Sequence, residues 1–188
     1  MKSLFHNYIW HLHIIRIHRR RVRKFCFKLW LYWQWLVHDL SKYSPAEFFV
    51  WVKYFQWYRS PNVSEREDKW YSSARLHHKW RNKHHYEYRN DLVWGRYQPI
   101  KMPIRYVKEM FCDMLAAWKT YRWSEFKSYY PFEYFQHNID KSRIHPDTAK
   151  LLESRLIILK DKWEDAVFAH ISTNYKDNDN RDYTTHIG

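Results

Sequence analysis

Glycine occurs at only two of the 188 positions of this chain, Gly95 and Gly188. That scarcity argues against a glycine-rich phosphate loop or a nucleotide-binding βαβ unit, because the turns of both need glycine. It also argues against an all-β architecture, which depends on many tight turns. A chain of this length can bury a real core within one domain. The sequence therefore favours an all-α domain, in which any phosphate chemistry relies on cationic side chains or a metal.

Helical periodicity and proline positions divide the chain into segments. Residues 7–36 hold neither proline nor glycine, and their apolar residues recur at steps of three and four, which predicts one bent helix or two. The run from Ser44 to Glu47 has the form of a capping box with proline at the first helical position, so a helix is predicted there. The sequence Ser-Pro-Asn at 60–62 is predicted to end it. Further helical segments are predicted over 70–89, from Pro103 onward, and over 145–171.

The remaining stretches are read as connections. No strand is predicted, and the polar stretch 64–69 is expected to be a linker. Aromatic residues make up 21% of the chain, and their runs favour core stripes over surfaces that stack on nucleobases. The C-terminal stretch is polar and unpatterned, so we expect it to be disordered. The prediction is one all-α domain over 1–172 with a flexible tail over 173–188.

The net charge of +13, counting histidine as neutral, favours an anionic partner such as a nucleotide, nucleic acid or acidic lipid. The basic block 16–24 is either a solvated helix face or an anion-binding one. Cys26 and Cys112 form no CxxC motif and are expected to be reduced. Because no run reaches the ~20 apolar residues of a membrane span and no signal peptide is evident, we expect a soluble, cytoplasmic protein.

A polar pair at a junction between two predicted helices is the first candidate for a functional site. His38 and Asp39 follow the apolar run 25–37 and precede the helix predicted from Pro45. They either mark a helix end that reaches water or bind a metal. Asp113 lies within an apolar helix, one turn after Glu109, and a buried carboxylate there needs a nearby cation, which a metal or an arginine would supply.

Four of the thirteen histidines fall in one short segment, HHKWRNKHH, at positions His77, His78, His84 and His85. If the helix continues through it, His78 and His85 lie two turns apart on one face. Imidazole combined with carboxylate suits transition metals, which lower the pKa of bound water and neutralise phosphate charge. The alternative is that these histidines decorate a solvated basic helix.

Three sequence blocks resemble those of an uncharacterised bacterial and viral family. They are HDLSKYSPAEF, HHKWRNKHHYEY and MPIRYVKEMFCDM, which match the patterns HDxSKxxxxEF, HHxxxNxHHxEY and MPxxYVxEMxxDW over about residues 18–150. Met114 stands where the pattern has tryptophan, and Lys83 where proline is common. The order His18, His38-Asp39, Asp113 is also similar to that of HD-domain metal-dependent phosphohydrolases, which are all-α.

This resemblance implies a set of site residues. It implies a divalent metal (Mn, Fe, Co, Ni or Zn, with Mg possible) bound by His18, His38, Asp39 and Asp113. His78, His84 and His85 become candidates for a second metal, and His78 and His85 also for a catalytic role. Lys42 and Arg81 would hold phosphate oxygens. Glu47 is assigned to the capping box, Glu109 to orienting a ligand histidine, and Asn82 to a ligand contact or a turn.

Two classes of function follow. The leading hypothesis is a metal-dependent phosphohydrolase of a nucleotide or another small phosphorylated compound. The alternative is a protein that binds nucleic acid or sequesters a nucleotide, with a structural metal or none. A metal-dependent nuclease lies between them, since HHKWRN resembles an HNH fragment, but that motif needs a ββα hairpin and no strands are predicted.

Overall fold

A computed structural model describes residues 4–56 and 58–173 as a predominantly helical domain. The helices in this part of the chain are α1 (Leu4–Lys28), α2 (Tyr32–Val37), α3 (Pro45–Lys53), α4 (Pro61–Lys69), α5 (Ser73–Arg81), α6 (Ile104–Arg122), α7 (Tyr130–Asn138) and α8 (Pro146–Thr173). Short 3₁₀ turns cover Leu40–Tyr43 and Tyr86–Arg89, among others. The predictions of two helices over 7–36 and of a helix after Pro103 are confirmed. The predicted final helix forms as α8 but is kinked at Trp163, whose backbone is not helical.

The prediction for residues 60–69 is wrong. Ser60 does not end a helix but begins one, because its side chain accepts a hydrogen bond from the backbone of Asn62 and Pro61 occupies the first turn of α4. The polar stretch 64–69 is therefore helical. A proline that follows a serine is typical of a helix start. The same proline can be misread as the end of the preceding helix.

The prediction that no strand forms is also wrong. Strands β1 (Asn90–Val93) and β2 (Arg96–Pro99) pair antiparallel, with Val93 opposite Arg96. Only Trp94 and Gly95 connect them, both at positive φ, as a two-residue hairpin turn requires. Such a small hairpin carries too few alternating residues to show a clear period in the sequence.

The main core lies where α1, α6 and α8 pack together. It contains Val22, Phe25, Leu29, Val107, Phe111, Leu115, Leu152, Leu156 and Leu159, among others. Cys26 and Cys112 are both buried in it and free, as expected. A second, smaller cluster joins Ile15 on α1 to Phe48 and Val52 on α3. The site described below lies between these two clusters.

Aromatic rings fill less of the core than the sequence suggested. Helix α2 contains no buried residue, although it was expected to be part of a core stripe. Helix α3 agrees better, since Phe48 and Trp51 are buried there. The interior is mainly aliphatic residues and phenylalanine, and many tryptophans lie at the surface.

Two further predictions concern the membrane and the C-terminus. Within the part of the chain that the structure describes, no helix is both long and apolar enough to cross a membrane. The predicted tail begins at Thr173, the last residue of α8, and the rest of it lies outside the described residues.

Candidate metal centre

The predicted ligands come from four separate parts of the chain and meet in one buried place. His18 lies on α1, His38 and Asp39 lie just after α2, and Asp113 lies on α6. His78 from α5 and the following loop residues His84 and His85 approach from the other side. The basic block 16–24 has one buried and one exposed face. His18 is buried, while Arg16, Arg20 and Arg23 face solvent.

A first set of ligand atoms is formed by His18, His38, Asp39 and Asp113. His18 Nε2 lies 3.0 Å from Asp113 Oδ1 and 3.4 Å from Asp39 Oδ2. His38 Nε2 lies 3.2 Å from Asp39 Oδ2 and 3.5 Å from Asp113 Oδ1. The four residues offer ligand atoms that all lie within 4.8 Å of one another. This is the primary set implied by the resemblance.

The spacing of these atoms is compatible with a cation among them. With metal–ligand bonds of about 2.1 Å, neighbouring ligand atoms lie roughly 3.0 Å apart in an octahedron and roughly 3.4 Å apart in a tetrahedron. His18 Nε2, His38 Nε2 and both Asp39 oxygens are buried, and they contact other side chains of the site, including Asp113 and Lys42. Two carboxylates close together in a buried place are costly, so a metal between them would relieve the cost.

A second set shares Asp39. Its other oxygen, Oδ1, lies 3.3 Å from His78 Nε2 and 3.4 Å from His84 Nε2. His85 completes a group of four residues whose ligand atoms lie within 4.8 Å of one another. Each oxygen of Asp39 therefore faces a different pair of histidines. That arrangement can hold two cations bridged by one carboxylate.

Glu109 orients one histidine from each set. Its Oε1 accepts a hydrogen bond from His38 Nδ1 at 2.8 Å and lies 3.1 Å from His84 Nδ1. A proton held on Nδ1 leaves the lone pair on Nε2, which is the atom that faces Asp39. Glu109 therefore has the contact that its predicted orienting role requires, and it contacts a second histidine as well.

Glu47 does not have the role the sequence suggested. Helix α3 does begin at Pro45, but the Ser44 side chain makes no capping hydrogen bond. Glu47 is fully buried and instead accepts hydrogen bonds from His77 Nδ1 at 2.7 Å and His78 Nδ1 at 2.9 Å. The capping-box prediction is wrong because partners about thirty positions away outcompete the local one.

The electrostatics of the site keep its acids ionised. Burial alone would raise the pKa of Asp39, but His38, Lys42 and His78 together hold it well below its ordinary value. Burial is also outweighed at Asp113, where hydrogen bonds from His18 and His38 lower the pKa well below its ordinary value. Burial lowers the pKa of His38, but Asp39, Asp113 and Glu109 together raise it well above its ordinary value. The two ionised carboxylates, Asp39 and Asp113, can attract a cation.

The backbone at Asp39 explains how two adjacent side chains serve one site. Asp39 has φ 53° and ψ 26°, in the left-handed region, between α2 and the 3₁₀ turn Leu40–Tyr43. Aspartate and asparagine tolerate this conformation better than most residues. The turn places Lys42 Nζ 2.5 Å from Asp39 Oδ2.

A cavity of about 440 Å³ opens beside both sets. His18, His78, His85 and Asp113 line it, together with Lys42 and Lys79. Arg81, predicted to hold phosphate, is exposed at the end of α5 and does not line the cavity. Asn82 ends that helix and donates hydrogen bonds to Ser41 Oγ and the His78 carbonyl oxygen. It therefore holds the segment in place rather than pointing at a ligand.

The segment 77–85 reaches the site by a different route from the one expected. Helix α5 ends at Arg81, so His78 and His85 are not two turns apart on one continuous helix. The chain turns back instead, and the rings of His78 and His85 lie 4.8 Å apart, centroid to centroid. Lys79 was not recognised in the sequence as a site residue, since lysines on a basic helix give no distinguishing pattern.

The comparisons with known proteins can now be set against this geometry. The model of a family of unknown function, DUF5662, matches residues 8–157. The chain belongs to the DUF5662 family. No curated protein and no solved structure matches it.

The matched range of DUF5662 contains both ligand sets. It begins before His18 and ends after Asp113, so most of α1, all of α2 to α7 and the first part of α8 fall inside it. The prediction that the three sequence blocks belong to an uncharacterised family is therefore confirmed.

Proposed function

We propose that this protein is a metal-dependent phosphohydrolase that acts on a nucleotide or another small phosphorylated compound. Two divalent cations would be held by the two ligand sets, with Asp39 shared between them. The order His18, His38-Asp39, Asp113 along the chain resembles that of HD-domain phosphohydrolases, and the helical architecture is compatible with theirs.

One observation carries the proposal. Each oxygen of Asp39 faces a different pair of histidine Nε2 atoms at 3.2–3.4 Å, although Lys42 Nζ also pairs with Oδ2 at 2.5 Å. A cation at each pair would bring these buried ligand atoms together. Paired cations are the usual solution for hydrolysing phosphate esters.

The donor set narrows the choice of metal. Imidazole nitrogens combined with carboxylate oxygens suit Mn, Fe, Co, Ni or Zn, and Mg is favoured less because it prefers oxygen ligands. Within the described residues, neither cysteine joins the site, since Cys26 and Cys112 lie in the main core.

The chemistry of the cavity fits a phosphate ester. When bound, the metals would activate a water molecule and neutralise the phosphate charge. Water attacks phosphorus, the ester P–O bond breaks, and the departing oxygen takes up a proton. Lys42 lies beside Asp39 at the cavity wall, where its ammonium group would offset charge on the phosphate oxygens.

Metal analysis combined with a phosphoester panel tests the proposal. We expect purified protein to hold about two transition-metal ions per chain and to hydrolyse at least one ester in a panel of nucleoside monophosphates, cyclic nucleotides and aryl phosphates. Asp39→Asn should lose both ions and lower the rate roughly 100-fold or more. Asn tolerates the backbone conformation of Asp39, so the fold should survive.

The control is Asp161→Asn, which changes an exposed aspartate on α8. It should leave metal content and rate unchanged. A protein that retains no metal after growth in metal-supplemented medium, and hydrolyses nothing in the panel, would contradict the proposal.

The exposed arginines of α1 favour a second candidate function, nucleic-acid binding. Arg16, Arg20 and Arg23 face solvent on the side of α1 opposite His18. Binding by this face should weaken steeply with salt concentration. It should also persist in Asp39→Asn, because the metal site lies elsewhere. Retained, salt-sensitive binding without any hydrolysis would favour this alternative.

A further inference from the structure

The five histidines of the site differ in which ring nitrogen is free to face it. Nδ1 of His38 and of His84 meets Glu109, and Nδ1 of His78 meets Glu47. A carboxylate accepts a hydrogen bond, so each of these rings carries its proton on Nδ1 and offers an Nε2 lone pair to the site. Each of these three rings can therefore act as a metal ligand through its Nε2 atom.

His85 is held in the opposite way. Its Nδ1 lies 3.0 Å from Lys79 Nζ. An ammonium group can only donate, so Nδ1 accepts and the proton of the neutral ring sits on Nε2. That Nε2 is buried and makes no hydrogen bond, although His85 lines the cavity. An N–H group suits an anion and cannot bind a metal.

The charges around His85 also suit an anion. Lys79 is held by Glu87, whose Oε2 lies 3.4 Å away, and the same carboxylate pairs with Arg75 at 3.2 Å. Two cations therefore share one acid, which leaves one positive charge in excess. Lys79 at 3.0 Å from His85 would repel a metal placed on that ring.

We propose that His85 and Lys79 form an oxyanion subsite that binds the phosphoryl oxygens of the substrate beside the metal centre. The proposal rests on the proposed function, and it removes His85 from the second ligand set. Asp39, His78 and His84 remain as that set, with open positions for water and substrate. His85 donates its Nε2–H to a phosphate oxygen, and Lys79 supplies charge next to it.

Phosphate binding and metal content, measured together, test the subsite. Inorganic phosphate should bind metal-loaded protein in a calorimetric titration. His85→Leu and Lys79→Met should each weaken that binding roughly 10-fold or more while leaving metal content at the wild-type value. His84→Gln should lose one metal ion. Lys83→Met changes an exposed lysine of the same segment and should alter neither quantity.

The outcomes separate the subsite from the proposed function. Loss of metal in His85→Leu would overturn the subsite, because it would make His85 a ligand. Unchanged phosphate binding in both variants would overturn it as well. If phosphate binding depends on Lys79 and His85 but no ester is hydrolysed, the subsite stands and the phosphohydrolase proposal fails. Should Lys79→Met fold poorly, Lys79→Arg retains the charge and should retain most of the binding.

An independent observation concerns the backbone. Six residues other than glycine have positive φ in the described part of the chain, and five of them are tryptophan: Trp30, Trp70, Trp94, Trp123 and Trp163, with φ between 43° and 65°. The sixth is Asp39. Bulky residues rarely adopt this conformation, because their Cβ lies too close to the backbone.

Each of these tryptophans occupies a position that favours glycine. Trp30 is at the left-handed position of a Schellman motif, in which the Leu31 N–H bonds to the Cys26 carbonyl at 3.0 Å. Trp70 and Trp123 end α4 and α6 through single bonds to carbonyls four residues earlier. Trp163, at φ 65° and ψ −178°, lies in a region that is essentially restricted to glycine.

Packing does not compensate for this strain. Trp94 is 97% exposed and Trp70 is 87% exposed, and the other three are more than half exposed. Trp94 also forms the hairpin turn with Gly95, where paired positive φ values favour Asn-Gly or Gly-Gly. The chain as a whole has 12 tryptophans and two glycines.

We infer that these five positions are glycine in the protein as its source makes it. A single reassigned codon accounts for the pattern, since UGA is decoded as tryptophan in one variant genetic code and as glycine in another. The gene should then carry UGA at all five positions, and peptide mass spectrometry of the protein from its source should find glycine there. UGG codons at these positions, or tryptophan in the peptides, would overturn the inference.

Discussion

At the scale of single residues, His11 couples protonation to stability. It is buried among the rings of Phe48, Trp51 and Phe55, and neither ring nitrogen makes a hydrogen bond. Burial, with a smaller contribution from Lys42, lowers its pKa from 6.5 to about 4. As the pH falls below 6.5, the unfolded chain binds a proton that the folded chain does not accept until about pH 4. The free energy of unfolding must therefore fall over that range.

We expect His11→Leu to remove this dependence. Between pH 7.5 and pH 5, the variant should gain about 2 kcal/mol of stability relative to the wild type. Urea unfolding at both pH values measures the difference. His13→Leu replaces an exposed imidazole on the same helix and is the control. A gain of the same size in that variant would contradict the assignment to His11.

Glu109 should influence the metal affinity of both ligand sets, because its carboxylate contacts one histidine of each. Glu109→Gln keeps the size of the side chain but removes the charge that makes His38 and His84 stronger ligands. We expect the affinity for metal to fall roughly 10-fold to 100-fold, and for both ions together. Competition with a metallochromic chelator would measure it, with Glu133→Gln on the exposed face of α7 as the control. Loss of only one ion's affinity would show that Glu109 serves a single set.

The sequence identified residues well where a side chain conflicted with its surroundings. His38, Asp39 and Asp113 stand out as polar groups in apolar stretches, and all three lie in the site. Glu47 was assigned wrongly because a local explanation existed three residues away. Lys79 and the tautomer of His85 depend on which side chains meet in space, and no spacing along the chain encodes that.

At the scale of elements, helix ends decide what the sequence can and cannot predict. The starts at Pro45 and Pro146 are readable, because proline fits the first turn of a helix. The ends are not, since three of the usual glycine positions carry tryptophan. The segment 70–89 was predicted as continuous although α5 ends at Arg81, because Asn82 leaves the helix in an extended conformation that no glycine or proline marks.

The left-handed helix ends also yield a stability prediction. Trp70→Gly should stabilise the protein by about 1 kcal/mol, because glycine adopts φ 60° without strain and the exposed indole contributes little packing. Trp33→Gly is the matched control: it changes an exposed tryptophan inside α2 and should destabilise by about 1 kcal/mol. Thermal unfolding of both variants measures the contrast. Equal destabilisation by both would contradict the claim that Trp70 is strained.

At the scale of the whole molecule, the site joins four parts of the fold. Its side chains come from α1, the turn after α2, α5 with its following loop, and α6. A mostly helical fold was predictable from the helical periodicity, but the β1–β2 hairpin was not. The meeting of His18 with Asp113, which lie far apart along the chain, was predicted only through the resemblance to a family, because no local pattern encodes a contact between α1 and α6.

Metal binding should therefore stabilise the whole domain rather than one helix. A ligand at 1,000 times its dissociation constant adds about 4 kcal/mol to the folded state. For a chain of this size, that corresponds to a rise of roughly 10 °C in the unfolding midpoint. We expect a chelated sample to unfold in one transition at the lower temperature, and metal to restore the higher one. Asp39→Asn should show no rise with metal, since it faces both sets. A rise that survives in Asp39→Asn would mean that the metal binds elsewhere in the chain, and the junction would then be held by hydrogen bonds and packing alone.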